Sequence, residues 1–398
     1  MPAAHPDLAD LSPLRRERHV ALAVSGGSDS TALMRLAKDW SGSHHPELKL
    51  TVLTVDHGLR PESAGEALCV GAWASDLGLP HHVLAWEGPK PGSGLQARAR
   101  EARYGLMAGW CRQNEAGLLL TGHTLDDQAE TVLMRLERSL SPGSLAGIAA
   151  HGNWEGVRLY RPLLRARRQA LRGYLTALGQ GWIEDASNAD PRFERVRVRE
   201  ALTGLQGTGV TPERLAALAE TCARTSLLLE RLSANWLSRW VREEDAGICH
   251  VPKEPFLTLP EPLQQHILAR ILRHYGGGHS QPEPQELRRL AQWVDAGPVR
   301  CTLGGALIGR RKSGFWAARE IARVSLEPLV IPESGSAIWD GRFLVTAAPG
   351  ACVMPAGRAQ APVGEDVPSF VRRTYPHVQQ PAGATEAPRI DFLRITPA

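Results

Sequence analysis

One junction constrains this chain more than any other. Val20-Ala-Leu-Ala-Val24, a short buried-type strand, runs straight into Ser25-Gly26-Gly27-Ser28-Asp29-Ser30, where a helical pattern over Ser30–Asp39 begins. Strand, glycine pair and helix start, back to back, open a β-α-β unit. Such a turn leaves backbone N–H groups free at the positive end of a helix dipole, which makes it an anion site. The two glycines allow close approach, and Ser25, Ser28 and Ser30 add hydroxyl donors.

The alternation continues. Leu50–Val55, His82–Trp86, Leu118–Thr121 and Val157–Tyr160 read as strands, with helical stretches over Glu62–Leu77, Leu95–Cys111, Asp126–Arg138 and Gln169–Leu178. This predicts an α/β fold, a parallel sheet with helices on both faces, and ligands at the strands' C-terminal edge. After the turn residues Ala186–Pro191 the pattern changes. A long helix from Thr211-Pro212-Glu213 to about Val241, with Glu261–Tyr275 and Pro284–Trp293, predicts a mainly helical stretch. Beyond Val299 the signal is β: hairpins turn at Gly304-Gly305 and Asp340-Gly341, and Gly314–Ala318 adds a strand. The expected division is an α/β domain at 1–200 carrying the anion-binding turn, a mainly helical domain at 201–297 and a small C-terminal α+β or mainly β domain at 298–398.

Composition narrows the function classes. No window approaches the ~18 uninterrupted apolar residues of a membrane span, and the proline- and aspartate-containing start does not read as a secretory signal. The six cysteines are scattered, without a C-x-x-C pair, which excludes a zinc ribbon or paired-cysteine redox motif and suggests reduced thiols in a cytoplasm. Net charge is only +4, yet Arg158–Arg199 holds ten arginines against four acids. A basic segment on a near-neutral chain suggests a polyanion-binding face, with a solvated surface as the plain alternative.

The loop lacks the Gly-Lys-[Ser/Thr] ending of a Walker A motif and carries Asp29 instead. A carboxylate beside phosphates implies a bridging Mg²⁺ or a different cleavage geometry. Ser25–Ser30 resembles the S-G-G-x-D-S loop of the PP-loop ATP pyrophosphatases, adenine nucleotide alpha hydrolase-like enzymes with a Rossmann-like sheet. Further segments narrow this: Asp56-His57-Gly58-Leu59-Arg60; Gly122-His123-Thr124-Leu125-Asp126-Asp127-Gln128-Ala129-Glu130-Thr131; Arg161-Pro162-Leu163-Leu164; Asp185-Ala-Ser187-Asn188; and the Arg/Tyr stretch Gln96–Tyr104. In this order they are similar to the tRNA(Ile)-lysidine synthetase family. Two stretches depart from it: Ser139–Gly147 replaces a glycine-rich run, and Arg195-Val196-Arg197-Val198-Arg199 lacks the family's asparagine.

The resemblance implies ATP and Mg²⁺ as cofactors, and free L-lysine and a CAU-anticodon isoleucine tRNA as partners. Lysine would be joined to C2 of the wobble cytidine with release of AMP and pyrophosphate. Ser25, Gly26, Gly27, Ser28, Asp29 and Ser30 are then the ATP-binding residues, Asp29 also the metal candidate, and Asp56 either binds adenosine or caps its turn. Asp127 and Glu130, three apart on one helix face, are the candidates for lysine binding and proton removal, with His123 and Asp126 beside them. Their plain alternative is complementing the helix dipole. Arg98, Arg100, Arg103, Arg195, Arg197 and Arg199 are candidates for tRNA contact. Two other readings stay open: a different ATP-dependent tRNA base modifier, such as a thiolase, and a nucleotide- and RNA-binding protein without catalysis. Tandem C-x-x-C patterns of thiolases are absent. The sequence leaves the oligomeric state open, a homodimer included.

Overall fold

A computed structural model describes residues 8–58, 63–88, 95–184, 190–205, 207–277, 282–325, 327–357 and 368–395. Two compact units divide it, Met1–Thr225 and Ser226–Ala398.

The first unit runs β1 (His19–Ala23), α1 (Ser28–His44), β2 (Lys49–Asp56), α2 (Ser63–Asp76), β3 (His81–Ala85), α3 (Leu95–Gln113), β4 (Leu118–Thr121), α4 (Leu125–Leu136), α5 (Pro142–Leu145), β5 (His151–Trp154), β6 (Val157–Tyr160), α6 (Arg168–Ala177) and α7 (Glu194–Gly204). α8 (Pro212–Trp240) begins in it. One sheet has the order β3-β2-β1-β4-β6-β5. Every pairing is parallel except β5 with β6. The strand order reverses at β1, which pairs β2 on one side and β4 on the other. That is the switch point of a doubly wound sheet, where the exits of two neighbouring strands leave a crevice.

Alternation along the strands packs both faces. Val20, Leu22 and Leu120 point to a core with Leu33, Met34 and Ala37 of α1 and Leu171 and Leu175 of α6. Ala21, Leu53 and Leu119 point the other way, to Tyr104, Met107 and Ala108 of α3. Burial on both faces explains why these strands read as unbroken apolar runs. β5 escaped the sequence reading because His151-Gly-Asn-Trp is a mostly exposed antiparallel edge. α7 escaped because its one buried residue is Val196.

In the second unit, β7 (Arg242–Glu244), β8 (Ile248–Pro252), α9 (Lys253–Leu257), α10 (Glu261–Tyr275), α11 (Pro284–Ala296), β9 (Arg300–Leu303), β10 (Ala306–Arg311) and β11 (Gly314–Arg319) follow in order. The sheet β7-β8-β11-β10-β9 is antiparallel. It packs against the helices through Ile267, Ile271, Leu290, Val294, Ile308 and Phe315. The stretch read as mainly helical therefore also contributes β7 and β8 to the sheet that β9–β11 complete. The predicted two-glycine turn is present, with Gly304 at φ 56° and Gly305 at φ 80°, values open to glycine without strain. Two three-stranded sheets follow: Leu329–Val330, Cys352–Pro355 and Pro376–Gln379, and Ser336–Trp339, Phe343–Thr346 and Arg389–Phe392. All six cysteines are free thiols. Among the described residues no helix is long and apolar enough to cross a membrane.

Candidate active site

The exits of β1 and β4 open on a cleft of about 610 Å³ in the first unit. Six arginines (Arg100, Arg103, Arg168, Arg172, Arg195, Arg199) and four acids (Glu66, Asp29, Asp127, Glu184) line it.

The loop after β1 forms one wall. Ser25, Gly27, Ser28, Asp29 and Ser30 face the cleft. Gly26 has φ 87°, a conformation that strains any residue with a Cβ, and a Cβ there would also press on Ile183 Cδ1 at 2.4 Å. Gly27 is the N-cap of α1, and a Cβ there would meet nothing closer than 3.9 Å, so this glycine borders open space. The Ser30 hydroxyl donates to the Gly27 carbonyl at 3.1 Å and accepts from the Ser25 N–H at 3.2 Å, fixing the turn. The first turn of α1 thus presents unpaired N–H groups to the cleft, the geometry that suits phosphate.

The exit of β4 forms the facing wall. Gly122 packs against α1's first turn, where a Cβ would come within 3.1 Å of Asp29 and Ser30 backbone atoms. Thr124 caps α4: its hydroxyl accepts from the Asp127 N–H at 3.3 Å, and the Thr124 N–H donates to Asp127 Oδ2 at 2.8 Å. Such a box stabilises a helix start by about 1 kcal/mol. Asp127 is therefore both cap and cleft wall, and the dipole reading and the functional reading of this residue are compatible.

One guanidinium ties the acids together. Arg168 Nε donates to Asp29 Oδ2 at 2.8 Å, and Nη2 donates to Asp127 Oδ1 at 3.2 Å. Nη1 lies 3.6 Å from Glu130 Oε1, which also accepts from Arg199 Nε at 2.9 Å. Asp126 accepts from the Arg168 backbone N–H and from Arg167 Nε, so it anchors the start of α6. Removing one partner from a buried pair costs ~3–5 kcal/mol, so Arg168 is firmly held. Its neighbour Arg172 pairs with Glu184 at 3.1 Å, with side chains 43% and 65% exposed. Exposed pairs of that kind are worth ~0–1 kcal/mol.

The environment sets protonation. Burial pushes the Asp29 carboxyl up, with Arg168 opposing. Burial also works against ionising Asp127, but Arg168, the Thr124 N–H and His123 together outweigh it and hold this carboxyl below its usual range. Burial pushes the His123 imidazole down to about 4, against the pull of Asp127, so it is neutral at pH 7. Its Nδ1 is 2.9 Å from the Thr121 hydroxyl.

The sequence-predicted residues are partly brought together. Ser25, Gly27, Ser28, Asp29, Ser30, His123, Asp127, Arg100, Arg103, Arg195 and Arg199 meet at the cleft, while Gly26 shapes the turn behind them. Glu130 lies behind Arg168 and Arg199, 2% exposed, with Oε2 buried and unpartnered. Asp56 holds its own turn, accepting from the Gly58 N–H at 2.9 Å and the Ser63 hydroxyl at 2.6 Å. Arg98 pairs with Glu101 on an exposed surface, and Arg197 donates to the Pro191 and Arg192 carbonyls. Leu59, Arg60 and the Asp185–Asn188 turn lie outside the described residues.

A PP-loop domain family matches residues 4–205. The tRNA(Ile)-lysidine synthase of Ruegeria pomeroyi is 41% identical over 336 residues, 82% of this chain and 76% of that one. That of Methylobacterium nodulans is 42% identical over 297 residues, 73% of this chain and 86% of the relative. The chain belongs to the tRNA(Ile)-lysidine synthase family. For a member of this family, the residues that the sequence reading missed are Arg168 and Arg172. In the sequence both stand only as members of the basic segment Arg158–Arg199. One local signal was available: Arg167 and Arg168 begin a helix, where positive charge opposes the dipole and calls for facing carboxylates.

Proposed function

We propose that this enzyme ligates lysine to C2 of the wobble cytidine of a CAU-anticodon isoleucine tRNA, converting ATP to AMP and pyrophosphate. The observation that carries the reading is the meeting of the Ser25–Ser30 loop and Asp127 in one cleft, on a lysidine synthase family chain. ATP is held with its pyrophosphate at the start of α1, where backbone N–H groups and the dipole stabilise the leaving group. The cytidine O2 attacks the α-phosphorus and pyrophosphate departs. The ε-amine of lysine then attacks C2 and AMP leaves.

Asp127, held ionised at the cleft wall, supplies negative charge for an ammonium group of lysine, while Glu130, buried behind Arg168 and Arg199, steadies those two guanidiniums. That amine has a pKa near ~10.4 and must lose a proton before it attacks. His123, neutral, offers a hydrogen bond without adding charge. Arg100, Arg103, Arg195 and Arg199 bring positive charge to the cleft for the tRNA backbone. Residues 201–297 are assigned the body of the tRNA.

Among the described residues, no cluster of three potential ligands cages a metal ion. Asp29 does offer a carboxylate on the cleft, the donor type that Mg²⁺ uses when phosphate oxygens complete its shell. It would hold the ion, which would neutralise phosphate charge.

The test is incubation with bulk tRNA, ATP and labelled lysine. Label should enter RNA only when ATP is present, with AMP and pyrophosphate as products. ADP and phosphate as main products, or unlabelled RNA, would defeat the assignment.

A further inference from the structure

Arg172 has no part in the scheme above, yet it stands on the cleft wall one helical turn beyond Arg168, on the same face of α6. Its Nε donates to the Ser28 hydroxyl at 3.4 Å, which places a guanidinium beside the first turn of α1. Nη2 pairs with Glu184 Oε1 at 3.1 Å, and the same carboxylate oxygen accepts from Trp182 Nε1 at 2.8 Å. The Arg172 guanidinium lies 5.7 Å from the Trp182 ring centre. Between them, the Ile183 N–H donates to the Gly26 carbonyl at 2.9 Å. Residues 182–184 are thus strapped to the loop, and Glu184 holds Arg172 next to it.

We propose that Arg172 is a pyrophosphate-binding residue, kept beside the loop by Glu184 and transferred to the β- and γ-phosphates when the nucleotide binds. The inference rests on the nucleotide reading given above and adds a residue to it. The two arginines of α6 differ in what they would give up. Arg168 is spread over three largely buried carboxylates, and moving it would strand them. Arg172 would exchange one solvent-exposed partner for a phosphate, which its planar fork matches in geometry. The ligand chemistry is therefore pyrophosphate, free or as part of a nucleoside triphosphate. AMP, which lacks that half, gains nothing from Arg172.

Titration calorimetry on the full chain, with magnesium chloride present, tests this with inorganic pyrophosphate, ATP and AMP. Arg172→Met should weaken pyrophosphate and ATP binding by roughly tenfold or more, the size of one charge-assisted hydrogen bond, and leave AMP within about twofold. Glu184→Gln keeps an acceptor for Trp182 while releasing Arg172, so it should bind pyrophosphate at least as tightly as the wild type. A loss for Arg172→Met below about threefold overturns the proposal. So does an equal loss for AMP, which marks a distorted loop, and so does weaker pyrophosphate binding by Glu184→Gln. A wild-type protein that binds neither ATP nor pyrophosphate overturns the nucleotide reading itself, a separate and visible failure.

Discussion

The two units each hold an arginine–carboxylate cluster, and the two clusters are balanced in opposite ways. In the second unit, Arg319 and Arg342 share the single carboxylate of Asp340, with all three side chains at most 6% exposed. Backbone carbonyls take up much of the surplus: Arg319 donates to Gly276, Gly305 and Arg323, and Arg342 donates to Thr374. Burial pushes the Arg342 guanidinium down to about 10, with Asp340 opposing. In the first unit the ratio is reversed. Arg168 faces Asp29, Asp127 and Glu130, and its guanidinium donates to no backbone carbonyl among the described residues. Where the chain closes its charges with its own backbone, it builds a joint. Where it gathers several carboxylates on one arginine beside an open cleft, it leaves Asp29 and Asp127 at the wall, within reach of a ligand's cation.

The largest effect should come from breaking the closed cluster. Asp340→Ala strands two buried guanidiniums and should cost the second unit ~3–5 kcal/mol, read as a lower unfolding midpoint in calorimetry. A midpoint equal to the wild type's would show that the joint carries no stability.

The next effect separates arginines at the cleft from arginines elsewhere. Arg100→Gln with Arg195→Gln should reduce the salt dependence of tRNA binding by roughly 0.7–0.9 in log–log slope per arginine. The pair Arg98→Gln and Arg197→Gln, off the cleft, serves as control and should change the slope little. Equal slopes for both pairs would mean that the cleft rim does not meet the phosphates.

A further effect is on acid stability, and it is confined to acid pH. Burial lowers the His123 pKa from 6.5 to about 4 in the native state. Between those values the unfolded chain takes up a proton that the native one refuses, so stability falls as pH drops through this window and is intact above it. His123→Gln should flatten that part of the stability–pH curve. A variant with the same acid slope as the wild type would place the sensitivity in other groups.

How much of this was legible in the sequence depends on the range of the interaction. β1, β2 and β4 were readable because strands covered on both faces become continuous apolar runs. β5, an exposed edge, and α7, a charged helix with one buried valine, gave no such signal. The loop was readable from its glycines and serines, and Asp127 and Glu130 from their spacing of three. Arg168 was not, because it reaches Asp127 across 41 positions and Asp29 across 139. The split among the RNA-candidate arginines was equally hidden, since Arg195, Arg197 and Arg199 alternate in sequence while only the fold decides which face the cleft.

The most direct measurement is a lysine titration of Asp127→Asn, which keeps the side-chain volume and removes one negative charge. If Asp127 holds an ammonium group of lysine, the KM for lysine should rise by the worth of one charge-assisted hydrogen bond, ~1.5–3 kcal/mol, or roughly 10- to 150-fold. The KM for ATP should change far less, adenylated tRNA or its hydrolysis product should accumulate at low lysine, and excess lysine should restore the rate. A loss confined to ATP affinity would place Asp127 at the nucleotide and contradict the account.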